Sequence, residues 1–119
     1  MKKLAFSIVA LILLFVAIPV FAHDDGHTCP HSGATITDLS NCVAHAGTVG
    51  HIDNAGVLQG LQAKLAAASN AYDRGQISVA INNLKAFINL VEAQAGKHID
   101  ATHAGHMIHH AQHVIDALS

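Results

Sequence analysis

The chain has 119 residues, of which 51% are hydrophobic and 12% charged, and its formal net charge is −2 at pH 7. Six lysines and arginines are too few for a basic patch or stripe, which argues against nucleic acid as a partner. The eleven histidines are the unusual feature, because imidazole titrates near neutral pH and binds transition metals.

Residues 1–22 have the parts of a cleavable signal peptide. Lys2 and Lys3 precede an apolar segment, and Val20-Phe21-Ala22 fits the small-x-small cleavage pattern. The alternative is an uncleaved membrane anchor, since the apolar run is close to spanning length. Pro19 and the cleavage pattern favour removal. We therefore expect an exported protein, periplasmic or secreted, with no membrane segment after cleavage.

An irregular arm and a single helical domain are predicted after the leader. Residues 23–34 lack periodicity and are rich in histidine, cysteine and turn-forming residues. Residues 35–119 contain four segments with helical spacing of apolar residues. The first is short, with Thr35 as its N-cap and Gly47 at its end. The second runs from about Ala55 to Tyr72, with Asp53 or Asn54 as its N-cap.

The third segment, from Ile77 to Lys97, has the clearest pattern, an apolar stripe about 120° wide when wound as a helix. The stripe contains Ile77, Ala80, Ile81, Leu84, Phe87, Ile88, Val91 and Ala95. Gly96 stands at its C-cap position, and Asp100 is the expected N-cap of the last helix. One short helix and three longer antiparallel helices predict an all-α fold, a small four-helix bundle.

The same segment resembles the signature of the FIMAH domain, a small helical module of bacterial secreted and surface proteins. The matching positions are Ala80, Leu84, Phe87, Ile88, Val91, Ala93, Lys97 and Ile99. The resemblance covers about residues 56–118 and leaves out the cysteine-containing segment before them. It implies a helical fold and a non-catalytic module that docks another envelope protein, and it supplies no catalytic site.

Five histidines of the last helix share an arc of about 120° whose centre is well away from the apolar stripe. They are His103, His106, His109, His110 and His113. Two pairs have i, i+4 spacing, at which neighbouring imidazoles can share one metal ion. Imidazole ligands favour Cu, Zn or Ni over Ca or Mg. The alternative is a solvated helix face that uses histidine as its polar residue.

Cys29 and Cys42 are the only cysteines, and an exported domain meets an oxidising compartment. A disulfide between them would tie the arm to the first helix and stabilise the fold by roughly 3 kcal/mol. The alternative is a Cys2His2 metal site in which His31 and His45 join the two thiols. The spacing and the oxidising compartment favour the disulfide.

The new N-terminus is a further candidate metal site. If cleavage follows Ala22, His23 offers both its α-amine and its imidazole, and His27 is close enough to add a ligand. His51 and His98 lie near helix ends, where capping or simple exposure is the usual explanation.

We expect an exported helical protein that binds Cu, Zn or Ni through the histidine face of its last helix. The alternative is a protein–protein interaction module of the cell envelope with no specific metal. The sequence has no nucleophile elbow, phosphate-binding glycine loop or carboxylate pair at a motif spacing, so we expect no enzyme and no required cofactor.

Overall fold

The computed structural model describes residues 33–119, which form four helices. They are α1 (Ile36–Thr48), α2 (Ala55–Asp73), α3 (Ile77–Gln94) and α4 (Ala101–Leu118). This confirms the predicted all-helical fold. The predicted signal peptide and nearly all of the predicted arm lie outside the described residues.

Side-chain N-caps begin three of the helices, as the sequence predicts. Thr35, Asn54 and Asp100 each accept a hydrogen bond from the backbone N–H three residues later, at 3.1, 3.0 and 3.0 Å. Each bond satisfies one of the N–H groups that the first turn of a helix leaves without a partner. The caps therefore fix where α1, α2 and α4 begin.

The predicted end of α1 at Gly47 is wrong, because the helix continues to Thr48 and the glycine with positive φ is Gly50, at 87°. A Cβ atom on Gly47 would lie 2.7 Å from the side chain of Leu58. Gly47 therefore allows α1 and α2 to approach each other. Gly96, at φ 74°, does end α3 as predicted.

The core lies between four helices that contact one another in a closed ring. Each helix packs against its neighbour in the chain, and α4 closes the ring against α1. Phe87, at the centre of the predicted stripe, is completely buried. Tyr72, the predicted last residue of the second helix, is 49% exposed, and Ala71 is the buried residue of this last turn. Among residues 33–119, no helix is both long and apolar enough to cross a lipid bilayer.

The α1–α2 and α3–α4 loops meet at one end of the bundle. Ile52 and Ile99 form an isolated antiparallel bridge between them. Asp100 N donates to His51 O at 2.9 Å, and Asp53 N donates to His98 O at 3.0 Å. These backbone bonds hold two loops, far apart in sequence, in a fixed register.

Candidate metal centre

The two paired loops carry the same tripeptide, His-Ile-Asp, at residues 51–53 and 98–100. Ile52 and Ile99 are buried, with 4% and 1% of their surface exposed. The flanking residues are more accessible, since His51 is intermediate and Asp53, His98 and Asp100 are exposed. Because the pairing is antiparallel, each histidine lies opposite the aspartate of the other tripeptide.

The pair formed by His98 and Asp53 is a surface contact. Nδ1 of His98 lies 2.9 Å from Oδ1 of Asp53, and both side chains are about half exposed or more. Exposed pairs of this kind stabilise a fold by about 1 kcal/mol at most. This pair therefore orients the two side chains more than it stabilises the loops.

The other pair, His51 and Asp100, is joined by His103 from the first turn of α4. One potential ligand atom from each of the three residues lies within 4.8 Å of the other two. Asp100 caps the helix by accepting from the His103 N–H at 3.0 Å, which fixes the distance between these two residues. The N-cap and the loop pairing together bring the three side chains to one point.

The three residues differ in their exposure to solvent. His103 is 1% exposed, Asp100 is exposed, and His51 is intermediate. The rings of His51 and His103 stack, with centroids 4.1 Å apart and planes 15° from parallel. The stack packs the α1–α2 loop against the start of α4.

Two imidazoles and one carboxylate are a donor set typical of zinc and related transition metals. Ligands about 2.1 Å from a tetrahedral ion are about 3.4 Å from each other, so the three donors need a small inward movement. The lone pair of an imidazole nitrogen lies in the ring plane, and two parallel rings cannot both direct it at one ion. Metal binding therefore requires one ring to rotate, and His51, in a loop and partly exposed, is the ring free to do so.

The five histidines predicted as a face of α4 do not share one environment. His103 and His110 are buried, at 1% and 8%, because they lie at the edge of the arc nearest the apolar stripe. His109 and His113 are exposed, and His106 is intermediate. The alternative of a uniformly solvated helix face is wrong for the two buried residues.

His103 is the one member of this arc that enters the three-residue group. Within the arc, the His106 ring lies near that of His103, with centroids 6.3 Å apart. The His106 Nδ1 is buried without a hydrogen-bond partner among residues 33–119. His110 is engaged elsewhere, since its Nε2–H donates to Gly33 O at 2.7 Å. That bond ties the segment before α1 to the middle of α4.

The other predicted ligands are not brought to this site. His45 is exposed on α1, and Cys42 is completely buried on the same helix. Cys29, His23, His27 and His31 lie outside the described residues. The Cys29–Cys42 disulfide and the N-terminal metal site therefore stay predictions.

The three-residue group borders an open depression at the loop end of the bundle, with a volume of about 390 Å³. His51 and Asp100 line it together with Asp53, Lys97 and His98. This size is within the range of small-molecule sites. An ion held by the group would face this depression.

His51 and Asp100 are the functional candidates that sequence reasoning missed as ligands. Asp100 was predicted only as an N-cap, and His51 only as a capping or exposed residue. The repeated His-Ile-Asp tripeptide was the available signal, since both copies lie directly before a helix. Their pairing, however, depends on the closure of the bundle.

Comparison with known proteins agrees with the fold. The model of the FIMAH domain family matches residues 36–116, which is more than half of the chain. The match begins at Ile36, so it includes α1 and Cys42, which the resemblance over residues 56–118 left out. No curated protein and no solved structure matches the chain. The chain therefore belongs to the FIMAH domain family.

Proposed function

We propose that this protein binds a divalent transition metal ion, Zn, Cu or Ni, through His51, Asp100 and His103. The observation that carries the proposal is the convergence of three donor atoms within 4.8 Å from two separate loops and the start of α4. Imidazole donors favour these metals over Ca and Mg, which prefer oxygen ligands. The protein acts by binding, and we assign it no catalysis.

The position of the group gives metal binding a structural consequence. His51 belongs to the α1–α2 loop, whereas Asp100 and His103 belong to the start of α4. An ion held by all three joins the two halves of the chain at one end of the bundle. An ion that binds only the folded state raises its stability as the metal concentration rises.

This site replaces the histidine face of α4 as the principal candidate. The exposed pair His109 and His113 has the right spacing but lacks a third donor close by among residues 33–119. Such a pair binds metal weakly and with little selectivity. We propose it as a secondary contact only.

The cellular setting supports capture of metal outside the cytoplasm. FIMAH domains occur in secreted and surface proteins, and residues 1–22 have the pattern of a signal peptide. We propose that the protein holds metal in the cell envelope or outside the cell.

Calorimetric titration with Zn(II), Cu(II) and Ni(II), run separately, tests the proposal. The protein is recovered from periplasmic expression without a histidine tag, since a tag would itself bind these ions. Asp100→Asn removes the carboxylate and keeps an N-capping oxygen. His51→Phe keeps an aromatic ring against His103 and removes the ligand. Control variants are His98→Gln, in the same depression, and the double variant His109→Gln/His113→Gln.

Each of the two site variants should weaken binding of the preferred metal at least about 100-fold, because even loss of a residue that only supports a ligand costs 10–100-fold. The two controls should change the affinity by less than a few fold. Equal binding by Asp100→Asn and the native protein would refute this site. If the His109→Gln/His113→Gln protein alone lost binding, the helix face would be the site. Absence of binding in every protein would leave docking of an envelope protein as the better function.

A further inference from the structure

We infer that the metal held by His51, Asp100 and His103 keeps one coordination position open, and that this position takes a carboxylate from outside the domain. The inference rests on the proposed metal site and adds the class of its second ligand.

The number of donors is the first argument. The described residues bring three donors together. Zinc and related ions in proteins bind four ligands in closed structural sites, whereas sites with three protein ligands leave the fourth position for water or another exchangeable ligand. A three-donor group thus has the composition of an open site.

Access is the second argument. His103 is buried beneath the group, while His51 and Asp100 line the depression of about 390 Å³. The side of the ion away from His103 therefore faces this space. The depression is far larger than the roughly 30 Å³ that one water occupies in the liquid, so it admits a group larger than water.

Charge determines the class of ligand. A divalent ion bound to the Asp100 carboxylate and two neutral imidazoles keeps a net positive charge. Lys97 lines the same depression and adds a second positive charge. The other acid in the lining, Asp53, contacts His98 at 2.9 Å, and its single negative charge is smaller than the sum of the two positive ones. The net positive charge of the depression attracts an anion. A carboxylate is a small anion whose oxygen binds these metals directly.

Such a carboxylate has two sources, a free small acid or an acidic side chain of a partner protein. Both use the same coordination chemistry. They differ in size, because a partner also contacts the rim of the depression beyond the ion.

The experiment uses the protein loaded with Co(II), whose visible absorption bands report the number and kind of its ligands. Co(II) is first titrated into the native protein and into Asp100→Asn. Acetate is then added to the loaded native protein, and in a parallel arm a short glutamate-containing peptide is added. Lys97→Gln, and Lys85→Gln on α3 as its matched control, are loaded and titrated in the same way.

Acetate should shift the Co(II) bands in a saturable way. Lys97→Gln should weaken acetate binding by roughly threefold, the scale of an exposed charge interaction, and leave the affinity for Co(II) unchanged. Lys85→Gln should match the native protein. Tighter binding of the peptide at equal carboxylate concentration would assign a protein partner, and equal binding would assign a free acid.

A Co(II) spectrum that acetate does not change, in protein whose Co(II) binding depends on Asp100, would overturn the inference. The coordination sphere would then be closed by a fourth protein donor. Failure of the proposed function is distinguishable, because it appears in the first step. Co(II) would then bind weakly, or equally well to Asp100→Asn, before any anion is added.

Discussion

Asp100 has two roles in the structure, and two substitutions separate them. Its Oδ1 caps α4 by accepting from the His103 N–H at 3.0 Å, and its carboxylate belongs to the proposed metal group. Asp100→Ala removes both the cap and the ligand. Asp100→Asn keeps a good capping oxygen and removes the charged ligand. Comparison of the two variants, with and without metal, tests each role by itself.

Without metal, the comparison of the two variants tests the cap. Replacing an N-cap aspartate by alanine costs about 1 kcal/mol, within a range of about 0.5–2 kcal/mol. For a domain of this size, that loss lowers the melting temperature by about 4–8 °C. Asp100→Asn should lose only a few tenths of a kcal/mol, through the weaker interaction of a neutral side chain with the helix N-terminus.

With metal, the differences in stability between the native protein and the two variants change. Free metal at about 100 times its dissociation constant stabilises a folded protein by about 2.7 kcal/mol. The native protein should gain this amount, while both variants gain little. The stability of Asp100→Asn should therefore be close to that of the native protein in chelator and well below it in zinc.

The assay is thermal unfolding followed by far-UV circular dichroism, in EDTA and in zinc. Asp53→Asn serves as the control, because Asp53 lies in the paired loop but outside the three-residue group. If zinc stabilised Asp100→Asn as much as the native protein, Asp100 would not be a ligand. If Asp100→Ala melted at the native temperature in EDTA, the cap would contribute nothing.

Further predictions concern the fold and can be checked by urea unfolding. Gly96→Ala should destabilise by about 1–2 kcal/mol, because φ is 74° there. Gly105→Ala should stabilise by about 0.5–1 kcal/mol, since Gly105 lies inside α4 and an added Cβ would meet no other atom within 4 Å. Stability changes of opposite sign would exclude a general effect of an added methyl group. Equal changes in the two variants would contradict the explanation from backbone conformation. Phe87→Ala should cost about 3–5 kcal/mol, because this ring is completely buried at the centre of the core. A loss below 1 kcal/mol would mean that α3 is not the buried centre of the bundle.

Most of the fold follows from local sequence. The stripe around Phe87, the N-caps at Thr35, Asn54 and Asp100, and the glycine at residue 96 all lie within one helix or its ends, and the structure confirms them. The predicted end of α1 was wrong by one residue, since the helix continues to Thr48. Gly47 was predicted to end α1, but it allows the close approach of Leu58.

The site was less predictable than the fold. Helical periodicity placed five histidines in one arc, with His103 and His110 at the edge nearest the apolar stripe, but it could not show which residues cover those two. His103 is buried against His51, and His110 is bonded to Gly33, contacts that involve residues far away in the chain. The histidine spacing identified the helix but did not identify the group of ligands.

The sequence by itself determined the four helices, the N-caps of three of them and the chemical character of the protein, a helical module with many imidazoles. Periodicity and capping are local, since each depends on residues within a few positions. Only the tertiary structure decided that His51 meets Asp100 and His103. The two His-Ile-Asp tripeptides are far apart along the chain, and they meet because the packed helices bring both loops to the same end of the bundle.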